Sequence, residues 1–499
     1  MLVCLHDYMK IRMSESKQNQ TNQNDSQVKL LSLSEFRREL GIPLILAKKL
    51  IVWGVIQSVR ALDGTLRIAA PEIAVAKKLI GTPIGKVRLF VKALGPGLIT
   101  GASDDDPSGI GTYSAVGATF GLSILWMAVW LLPIVTAIQE ACARIGVVTN
   151  KGLAEVIKQH YSRKILLGAI TLLIIANVVN IGADLGAMAA AIGMFSNINS
   201  YLIIILLTVG ITLLEIFVQY HFYVKFLKFL AVSVLAYVIT GFLVHPDWLD
   251  VFKHSFIPSI RFSNDYLFAM VAVFGTTITP YLFFWQASEE VEEGKLLDYK
   301  YKTKKRLIDR MAHMRTDVYT GMLLANVVFY FIVLTTAQVL FAHGITSINT
   351  AADAAKALAP LAGKNAAALF AFGIIGTGLL AIPVLAGSGA YALSEVLSWN
   401  EGLEFKFLQA KGFYLIIILS IVFGALFNFF QINPIMALYY AAFLNGIIAI
   451  PLLYLIMKIG NRRDIMGDEC HPGWVKFFGW FAVVAMTIAI VVMIVMSFV

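Results

Sequence analysis

From about residue 92 to the C-terminus, one apolar stretch of membrane-spanning length follows another. Each approaches the ~20 residues that a helix needs to cross the hydrocarbon core. Inside a bilayer the backbone must bond to itself, so such stretches form helices. Only 14% of the 499 residues are charged, against about 25% in soluble domains. The sequence predicts an all-α integral membrane protein with eleven transmembrane helices, centred near Asp106, Trp130, Ile174, Leu206, Val234, Ile278, Val328, Ile375, Ile418, Leu444 and Ala485.

The basic residues predict how the chain is oriented in the membrane. A net charge of +9 would suggest a nucleic-acid partner in a soluble protein. Here the basic residues gather before the first span and after the second, fourth and sixth, most densely from Lys295 to Arg315. The loops SNINS and QIN, after the third and ninth spans, carry no charge. Because basic loops stay in the cytoplasm, we expect a cytoplasmic N-terminus and an external C-terminus in a plasma or inner membrane.

Cys4, Cys142 and Cys470 are odd in number and scattered across the whole chain, so neither a disulfide framework nor a thiolate metal site is expected.

The N-terminal part of the chain differs from the apolar remainder. No secretory signal is apparent, and residues 1–28 are predicted to be a disordered leader. Residues 29–85 are predicted to form a small α+β cytoplasmic module, and residues 86–499 the transmembrane domain.

Local signals outline the module at residues 29–85. Ser32 and Glu35 predict a capping box, Gly41 a helix end and Pro43 a second helix start. The turn Asp63-Gly64 predicts a hairpin, and Pro71 a further helix. This order resembles the winged helix-turn-helix modules of excisionase and MerR-type regulators, which would direct basic residues to phosphates. The alternative is a folding or regulatory appendage whose basic residues face solvent or lipid headgroups. The basic residues concerned are Arg37, Arg38, Lys48, Lys49, Arg60 and Arg67.

The first span is interrupted at its middle by three consecutive aspartates. Asp104, Asp105 and Asp106 are followed at once by Pro107 and, two residues later, Gly109. Carboxylates at membrane depth are costly and indicate a functional site. The sixth span is interrupted at a matching place, GTTITPY. The two interruptions lie roughly 170 residues apart, as expected for one five-helix unit of an inverted repeat.

The interruptions predict a cation site. Proline frees backbone carbonyls, which are tolerated at membrane depth only where protein or a water-lined cavity satisfies them. A carboxylate beside such carbonyls offers only oxygen ligands, the preference of hard cations. The alternative is that the aspartates merely cap the helix that begins near Pro107. We expect Asp104 and Asp105 to be caps of this kind and Asp106 to bind the cation.

Four segments resemble the natural resistance-associated macrophage protein (Nramp) family of divalent-metal transporters. GPGLITGASDDDPSGIGTYSAVGATFG is similar to that family's first helix, and QEACARIGVVTNKGLAEVI to the end of its second. GTTITPYLFFWQAS is similar to helix six, and IPLLYLIMKIGNRRDIMG to the end of helix ten. The likeness covers about residues 92–460. It implies a LeuT-type fold, an inverted 5+5 repeat with broken helices 1 and 6.

The resemblance implies a site and also shows departures from the family. The metal-binding aspartate falls on Asp106 and the carbonyl ligand of helix six on Thr276. The family's asparagine falls on Gly109 and its methionine on Thr279, so the thioether that favours transition metals is missing. These substitutions imply a divergent branch; such branches include magnesium transporters. The residues on a candidate ion or proton path are Asp105, Asp184, Tyr281, Gln286 and Asn445, beside Leu444.

Weak proton coupling is expected, because Tyr281 and Gln286 replace histidines and Ala187 replaces a glutamate of the family's proton path. The expected function is secondary transport of Mn²⁺, Fe²⁺ or Mg²⁺ by alternating access, with no enzymatic activity and no cofactor besides the transported ion. Two alternatives remain. A permease for amino acids or other small solutes with this fold would meet a repelling carboxylate at Asp106. An intramembrane aspartyl protease would need two facing aspartates, such as Asp106 and Asp184.

Overall fold

A computed structural model describes residues 30–40, 47–48, 51, 56, 58–60, 66–69, 71–80, 95–217, 232–296, 304–403, 405–430 and 432–496. The chain divides into two compact units, Met1–Ala93 and Leu94–Val499. Several predictions concern residues outside the described ranges. They are the leader at residues 1–28, the helix boundary at Gly41 and Pro43, the Asp63-Gly64 turn, Lys49, and the basic residues at positions 86–92 and 225–228.

The first unit contains two helices and a small sheet. In chain order its elements are β1 (Leu30–Ser32), α1 (Leu33–Leu40), β2 (Ser58–Arg60), β3 (Leu66–Ala69) and α2 (Pro71–Ile80). The strands are antiparallel in the order β1-β3-β2, with Leu31 opposite Ile68 and Val59 opposite Arg67. The predicted pairing of the segments now seen as β2 and β3 and the helix start at Pro71 are confirmed. Strand β1 was not predicted.

The capping box at the start of α1 is also confirmed. The Ser32 backbone N–H donates to Glu35 Oε2 at 2.8 Å, and the Glu35 N–H donates back to Ser32 Oγ at 3.3 Å. The reciprocal bonds satisfy two N–H groups that a helix start leaves free. A small apolar core lies beneath, made of Phe36, Ala47, Ile56, Ile68 and Ala76.

In its described part the second unit contains helices joined by loops, and no strands. Its helices are α3 (Pro96–Asp104), α4 (Pro107–Phe120), α5 (Trp126–Thr149), α6 (Leu153–His160), α7 (Arg163–Gly193), α8 (Ser200–Phe217), α9 (Ala236–Leu243), α10 (Trp248–Phe256), α11 (Asn264–Thr277), α12 (Pro280–Leu296), α13 (Lys304–Val339), α14 (Ala351–Ala355), α15 (Ala359–Ala362), α16 (Ala366–Leu397), α17 (Lys411–Phe427), α18 (Pro434–Gly460), α19 (Arg463–Met466) and α20 (Gly473–Met496).

Within the described residues, nine helical segments are long and apolar enough to cross a membrane. The pair α11–α12 counts as one of them. The pair α3–α4, at the predicted first span, is not among the nine, and neither is α9, at the predicted fifth. The count of eleven therefore stays a prediction, while the helical membrane architecture is confirmed.

Helices that carry the two interruptions are in direct backbone contact with their neighbours. A Cβ added to Gly275 on α11 would collide with the backbone of Ala442 and Gly446 on α18. A Cβ on Gly101 of α3 would likewise overlap the carbonyl of Gly321 on α13. Glycine at these positions lets two backbones meet directly, as is common between membrane helices. Both broken helices are thereby held against long, continuous ones.

Candidate functional site

The first break separates α3 from α4 at Asp105 and Asp106. Asp106 has an extended backbone (φ −67°, ψ 172°) and is the N-cap of α4. Its Oδ1 accepts the backbone N–H of Gly109 at 2.7 Å. The expectation that the neighbouring aspartates provide the cap is wrong, because Asp104 ends α3 and Asp105 is that helix's C-cap. All three are buried, Asp106 with only 1% of its surface exposed.

Capping leaves Asp106 able to bind a cation. A carboxylate has two oxygens and about four lone-pair positions, of which the bond from Gly109 takes one. Gly109 itself supplies a donor N–H and no side-chain ligand. A Cβ at this position would lie 3.6 Å from Asp106 Oδ1 and 3.0 Å from the carbonyl of Asp104. The glycine therefore positions the carboxylate and keeps the space beside it open.

The second break lies at Ile278 and Thr279, between α11 and α12. In a continuous helix the carbonyl of Thr276 would accept the N–H of residue 280, but Pro280 has none. The same holds in the first break, where Pro107 cannot bond to the carbonyl of Ser103. In each break the proline thus frees a carbonyl in the last turn of the preceding helix.

Tyr281 joins the two breaks. Its hydroxyl donates to the backbone carbonyl of Ser103 at 2.8 Å and lies 3.4 Å from Asp106 Oδ2. Because one phenol has one proton, the shorter bond uses it and the contact with Asp106 is only a close approach. Tyr281 was assigned to the ion or proton path from the sequence, and the structure places it directly against the carboxylate.

Asp184, on α7, lies near Asp106 and the start of α4. It is fully buried, and neither of its carboxylate oxygens has a hydrogen-bond partner by distance and angle among the described residues. Asp106 is close enough to interact with it electrostatically, and both carboxylates face the backbone N–H of Ser108. Two acids therefore share the N-terminus of α4, whose dipole favours negative charge. An uncompensated pair of this kind is costly unless a cation or a proton joins it.

Further buried polar groups lie on the second broken helix and on α18. The hydroxyls of Thr276 and Thr279 and the amide of Asn445 are almost completely buried, and none has a hydrogen-bond partner in the described part of the chain. Asn445, on α18, directly precedes Gly446, which contacts α11 at Gly275. Buried polar groups without partners indicate positions filled by water or a ligand.

Gln286 and Asp105, which the sequence also assigned to the ion or proton path, lie in other surroundings. Gln286, on α12, accepts a bond from the Thr100 hydroxyl at 2.5 Å and donates to Glu290 Oε1 at 3.1 Å. Glu290 pairs with Arg310 of α13, and both side chains are buried. Gln286 thus belongs to a series of polar contacts that runs from Thr100 on α3 through Glu290 to Arg310 on α13. Asp105 is buried at the end of α3, with 8% of its surface exposed.

Two functional candidates were missed at the sequence level. Asp317, on α13, accepts backbone N–H groups from the start of α3. Asn180, one turn before Asp184 on α7, is buried with an unpartnered amide within the described chain. The signal that would have found both is a polar side chain on an otherwise apolar membrane helix.

The donor set is one of oxygens. Among the described residues, no group of three His, Cys, Asp or Glu side chains is arranged to hold a metal ion. A cation bound here would take one or two carboxylates, and the rest of its ligands would be carbonyl, hydroxyl, amide or water oxygens. This set suits hard cations, such as Mg²⁺, or Mn²⁺.

Comparison with known proteins identifies a family and relatives that match most of this chain. Residues 97–496 match the family described as natural resistance-associated macrophage protein-like, Nramp. A divalent metal cation transporter MntH from Klebsiella pneumoniae is 26% identical over 423 residues, covering 81% of this chain and 93% of the relative. The MntH of Bacillus subtilis is 25% identical over 434 residues, covering 83% and 95%.

Solved structures share the fold. A manganese transporter from Eremococcus coleocola superimposes with a TM-score of 0.63 at 18% identity, over 79% of this chain and 84% of that one. Mhp1, a nucleobase-cation-symport-1 family transporter, superimposes with a TM-score of 0.51 at 14% identity, over 80% and 92%. These matches confirm the predicted fold class, an all-α transporter fold of the LeuT type.

Proposed function

The chain belongs to the Nramp family, and we propose that it is a secondary transporter that moves divalent metal cations across the membrane by alternating access. The relatives named above are divalent metal cation transporters, and they match most of this chain. The observation that carries the proposal is the convergence of two helix breaks on buried Asp106. A single break beside one acid is equally consistent with a simple helix cap. Two breaks that face one carboxylate provide a substrate position at the middle of the fold.

We propose that Asp106 holds the cation together with the freed carbonyl of Thr276. The Thr276 and Thr279 hydroxyls and the Asn445 amide complete the surroundings, directly or through water. Asp184 places a second carboxyl group near the first. The function of these groups is to replace part of the hydration shell of the ion, which is otherwise too strongly hydrated to enter the protein.

The proposed cargo is Mn²⁺, Fe²⁺ or Mg²⁺, with Mg²⁺ accepted far better than by typical family members. Thr279 offers a hydroxyl where the family has a thioether, and Gly109 offers space where it has a carboxamide. Mg²⁺ releases its water reluctantly, so a roomy oxygen site that lets it keep part of its shell favours it. A sulfur ligand would favour softer transition metals instead.

The two alternative functions are less well supported. A permease for amino acids would bring a substrate carboxylate against Asp106 and Asp184, which would repel it. The proximity of these two acids is also what an aspartyl protease needs. The paired helix breaks have no role in such an enzyme, however, and the relatives are transporters.

We further propose a multi-pass protein of the plasma or inner membrane with its N-terminus in the cytoplasm and its C-terminus outside. The clustering of basic residues in alternate loops supports this orientation.

For the module at residues 29–85 we propose a folding or regulatory role beside the membrane, with a nucleic-acid partner as the second possibility. Arg38 is exposed on α1 of this module. No resident cofactor is proposed.

The test is metal uptake into liposomes with purified protein. Asp106→Asn keeps the size of the side chain but removes the charge that offsets dehydration of the cation. Uptake of Mn²⁺ and Mg²⁺ should fall by at least about tenfold, equivalent to about 1.4 kcal/mol. Asp104→Asn should have a milder effect, because Asp104 ends α3 and makes no bond to the second broken helix among the described contacts.

Asp309→Asn is the matched control, because Asp309 is exposed near the start of α13. It should leave uptake unchanged. Near-normal uptake by Asp106→Asn would contradict the site. Equal losses with Asp104→Asn and Asp106→Asn would mean that the aspartate triplet acts as a unit.

A further inference from the structure

The carboxylate of Asp317 on α13 accepts hydrogen bonds from the start of α3. Asp317 Oδ1 accepts the backbone N–H of Gly95 at 2.7 Å and that of Leu98 at 3.2 Å, while Oδ2 accepts that of Gly97 at 2.7 Å. Asp317 is buried, with 1% of its surface exposed. The first N–H groups of a helix have no partner within the helix, so a carboxylate placed there supplies their bonds and complements the dipole.

Two further side-chain bonds hold α3 along its length. In the middle, the Thr100 hydroxyl donates to Gln286 at 2.5 Å. At the end beside the cation site, the Ser103 carbonyl accepts the Tyr281 hydroxyl at 2.8 Å. Both partners lie on α12, the half-helix that follows the second break. The two half-helices are therefore bonded to each other, and Asp317 bonds the far end of α3 to α13.

The same interface is lined by glycine. A Cβ on Gly97 would lie 2.6 Å from the Val318 backbone nitrogen, directly after Asp317 in the chain. Gly101 and Gly321 meet in the same way one turn further on. Glycine lets α3 and α13 pack in direct backbone contact at these points. The bonds to Asp317 add directional contacts to this packing at the start of α3.

We propose that Asp317 is a positioning residue for transport. Its bonds to the start of α3, called the clamp below, hold α3 against α13 while the cation site is closed on that side. When these bonds break, α3 moves away from α13 and the site opens. The inference depends on the proposed function, because it assigns a movement to the transport cycle. The break at Asp105 and Asp106 allows α3 to move without displacing α4. When α3 leaves, water can bond to the freed N–H groups, so the clamp is reversible.

The consequence is a shift of population between two states. Loss of the clamp favours the state in which the site is open on the side where α3 begins, and disfavours the state open on the other side. If Asp317 had a merely structural role, its removal would instead increase the accessibility of the site from both sides of the membrane. Measuring accessibility from each side therefore distinguishes a clamp from general loosening.

The experiment uses the full-length protein with Cys4, Cys142 and Cys470 replaced by serine, and Ser103→Cys as a buried reporter at the end of α3. A membrane-impermeant thiol reagent is applied to right-side-out and to inverted vesicles. With Asp317→Asn, modification from the side where α3 begins should rise at least about threefold, and modification from the opposite side should fall. Asp309→Asn, on the same helix but exposed, should match the parent.

Unchanged modification with Asp317→Asn, or an increase from both sides, would overturn the clamp. The measurement needs no transported ion, so it stands even if the cargo proves not to be a metal. Loss of metal uptake in the parent protein would contradict the proposed function and leave this measurement intact.

A second variant replaces the clamp by a covalent bond. Gly95→Cys together with Asp317→Cys places two thiols where the 2.7 Å bond now lies. A short bifunctional methanethiosulfonate should stop metal uptake by this pair, and a reductant should restore it to the level before cross-linking. Neither single-cysteine variant should respond to the reagent. Continued uptake by the cross-linked pair would show that α3 does not move, and would overturn the proposal.

Discussion

The hydroxyl of Tyr281 donates to the backbone carbonyl of Ser103 at 2.8 Å. This bond makes the two helix breaks unequal. Pro107 leaves the Ser103 carbonyl without its helical partner, and a side chain from the second broken helix then bonds to it. The carbonyl that Pro280 frees, at Thr276, has no side-chain hydroxyl bonded to it in the described contacts. Of these two carbonyls, that of Thr276 therefore remains available as a ligand.

Tyr281→Phe should raise the KM for Mn²⁺ uptake several-fold. The variant keeps the ring but leaves the Ser103 carbonyl buried without its partner, which costs about 1–3 kcal/mol. It also removes the hydroxyl that lies 3.4 Å from Asp106. Uptake rates over a range of Mn²⁺ concentrations in liposomes give KM and the maximal rate.

Tyr414→Phe is the matched control for this change. The Tyr414 hydroxyl also donates to a backbone carbonyl, that of Phe405, at 2.7 Å, and the residue is mostly buried. It should destabilise the protein to a similar degree while leaving KM unchanged. An equal rise of KM in both variants would mean that Tyr281 has no special relation to the ion.

Thr279→Met should move the metal preference toward Mn²⁺ and Cd²⁺ at the expense of Mg²⁺. The substitution introduces a polarisable thioether beside the freed carbonyls, and sulfur favours the softer ions. Competition by Mg²⁺ against Mn²⁺ uptake measures the preference; the parent should be inhibited by Mg²⁺ and the variant much less so. Thr316→Met, at an exposed position on α13, is the control. Strict exclusion of a large excess of Mg²⁺ by the parent would contradict the hard-oxygen site.

Metal uptake should be accompanied by little or no acidification of the liposome interior. By the family resemblance, Tyr281 and Gln286 replace histidines and Ala187 replaces a glutamate, and none of the three replacements is an imidazole or carboxyl group that could carry a proton near neutral pH. A pH-sensitive dye enclosed in the liposomes reports proton movement during Mn²⁺ uptake. Robust acidification would contradict the expectation and direct attention to Asp184, in which case Asp184→Asn should abolish proton movement.

Acidification should destabilise the protein through His471. Its ring lies against the backbone of Gly460 and is 2% exposed. Burial, helped by the nearby charge of Arg144, lowers the pKa of His471 from 6.5 to about 4. Because the unfolded state takes up the proton first, stability is full above about pH 6.5 and falls as the pH decreases toward 4. From pH 7.5 to 5 this residue's contribution to the free energy of unfolding decreases by about 2 kcal/mol.

Thermal unfolding of detergent-solubilised protein at the two pH values checks this prediction. His471→Gln should lose less stability on acidification than the parent does. His343→Gln, at an exposed position, should behave like the parent. If His471→Gln and the parent lose the same amount, the buried histidine does not govern the acid response.

Much of the architecture was predictable because its signals are local. The length of the apolar stretches identified most membrane helices, and the box at Ser32 and Glu35 marked the start of α1. The prolines at 107 and 280 marked both helix breaks, because a residue without an N–H interrupts a helix wherever the chain goes next. These features depend on a few neighbouring residues and on the solvent, so sequence alone determines them.

The relations across the site were decided by tertiary structure. The bonds from Tyr281 to Ser103 and from Gly95 to Asp317 join residues 178 and 222 positions apart. The Gly95–Asp317 bond lies where glycine brings the backbones of α3 and α13 into contact, and the Tyr281–Ser103 bond lies where the two broken helices meet. No local pattern specifies which helices meet. The sequence marked Asp106 as exceptional, but it assigned the helix cap to the wrong aspartates and passed over Asp317. A carboxylate's role depends on which N–H groups and charges surround it, and in this protein those come from distant helices.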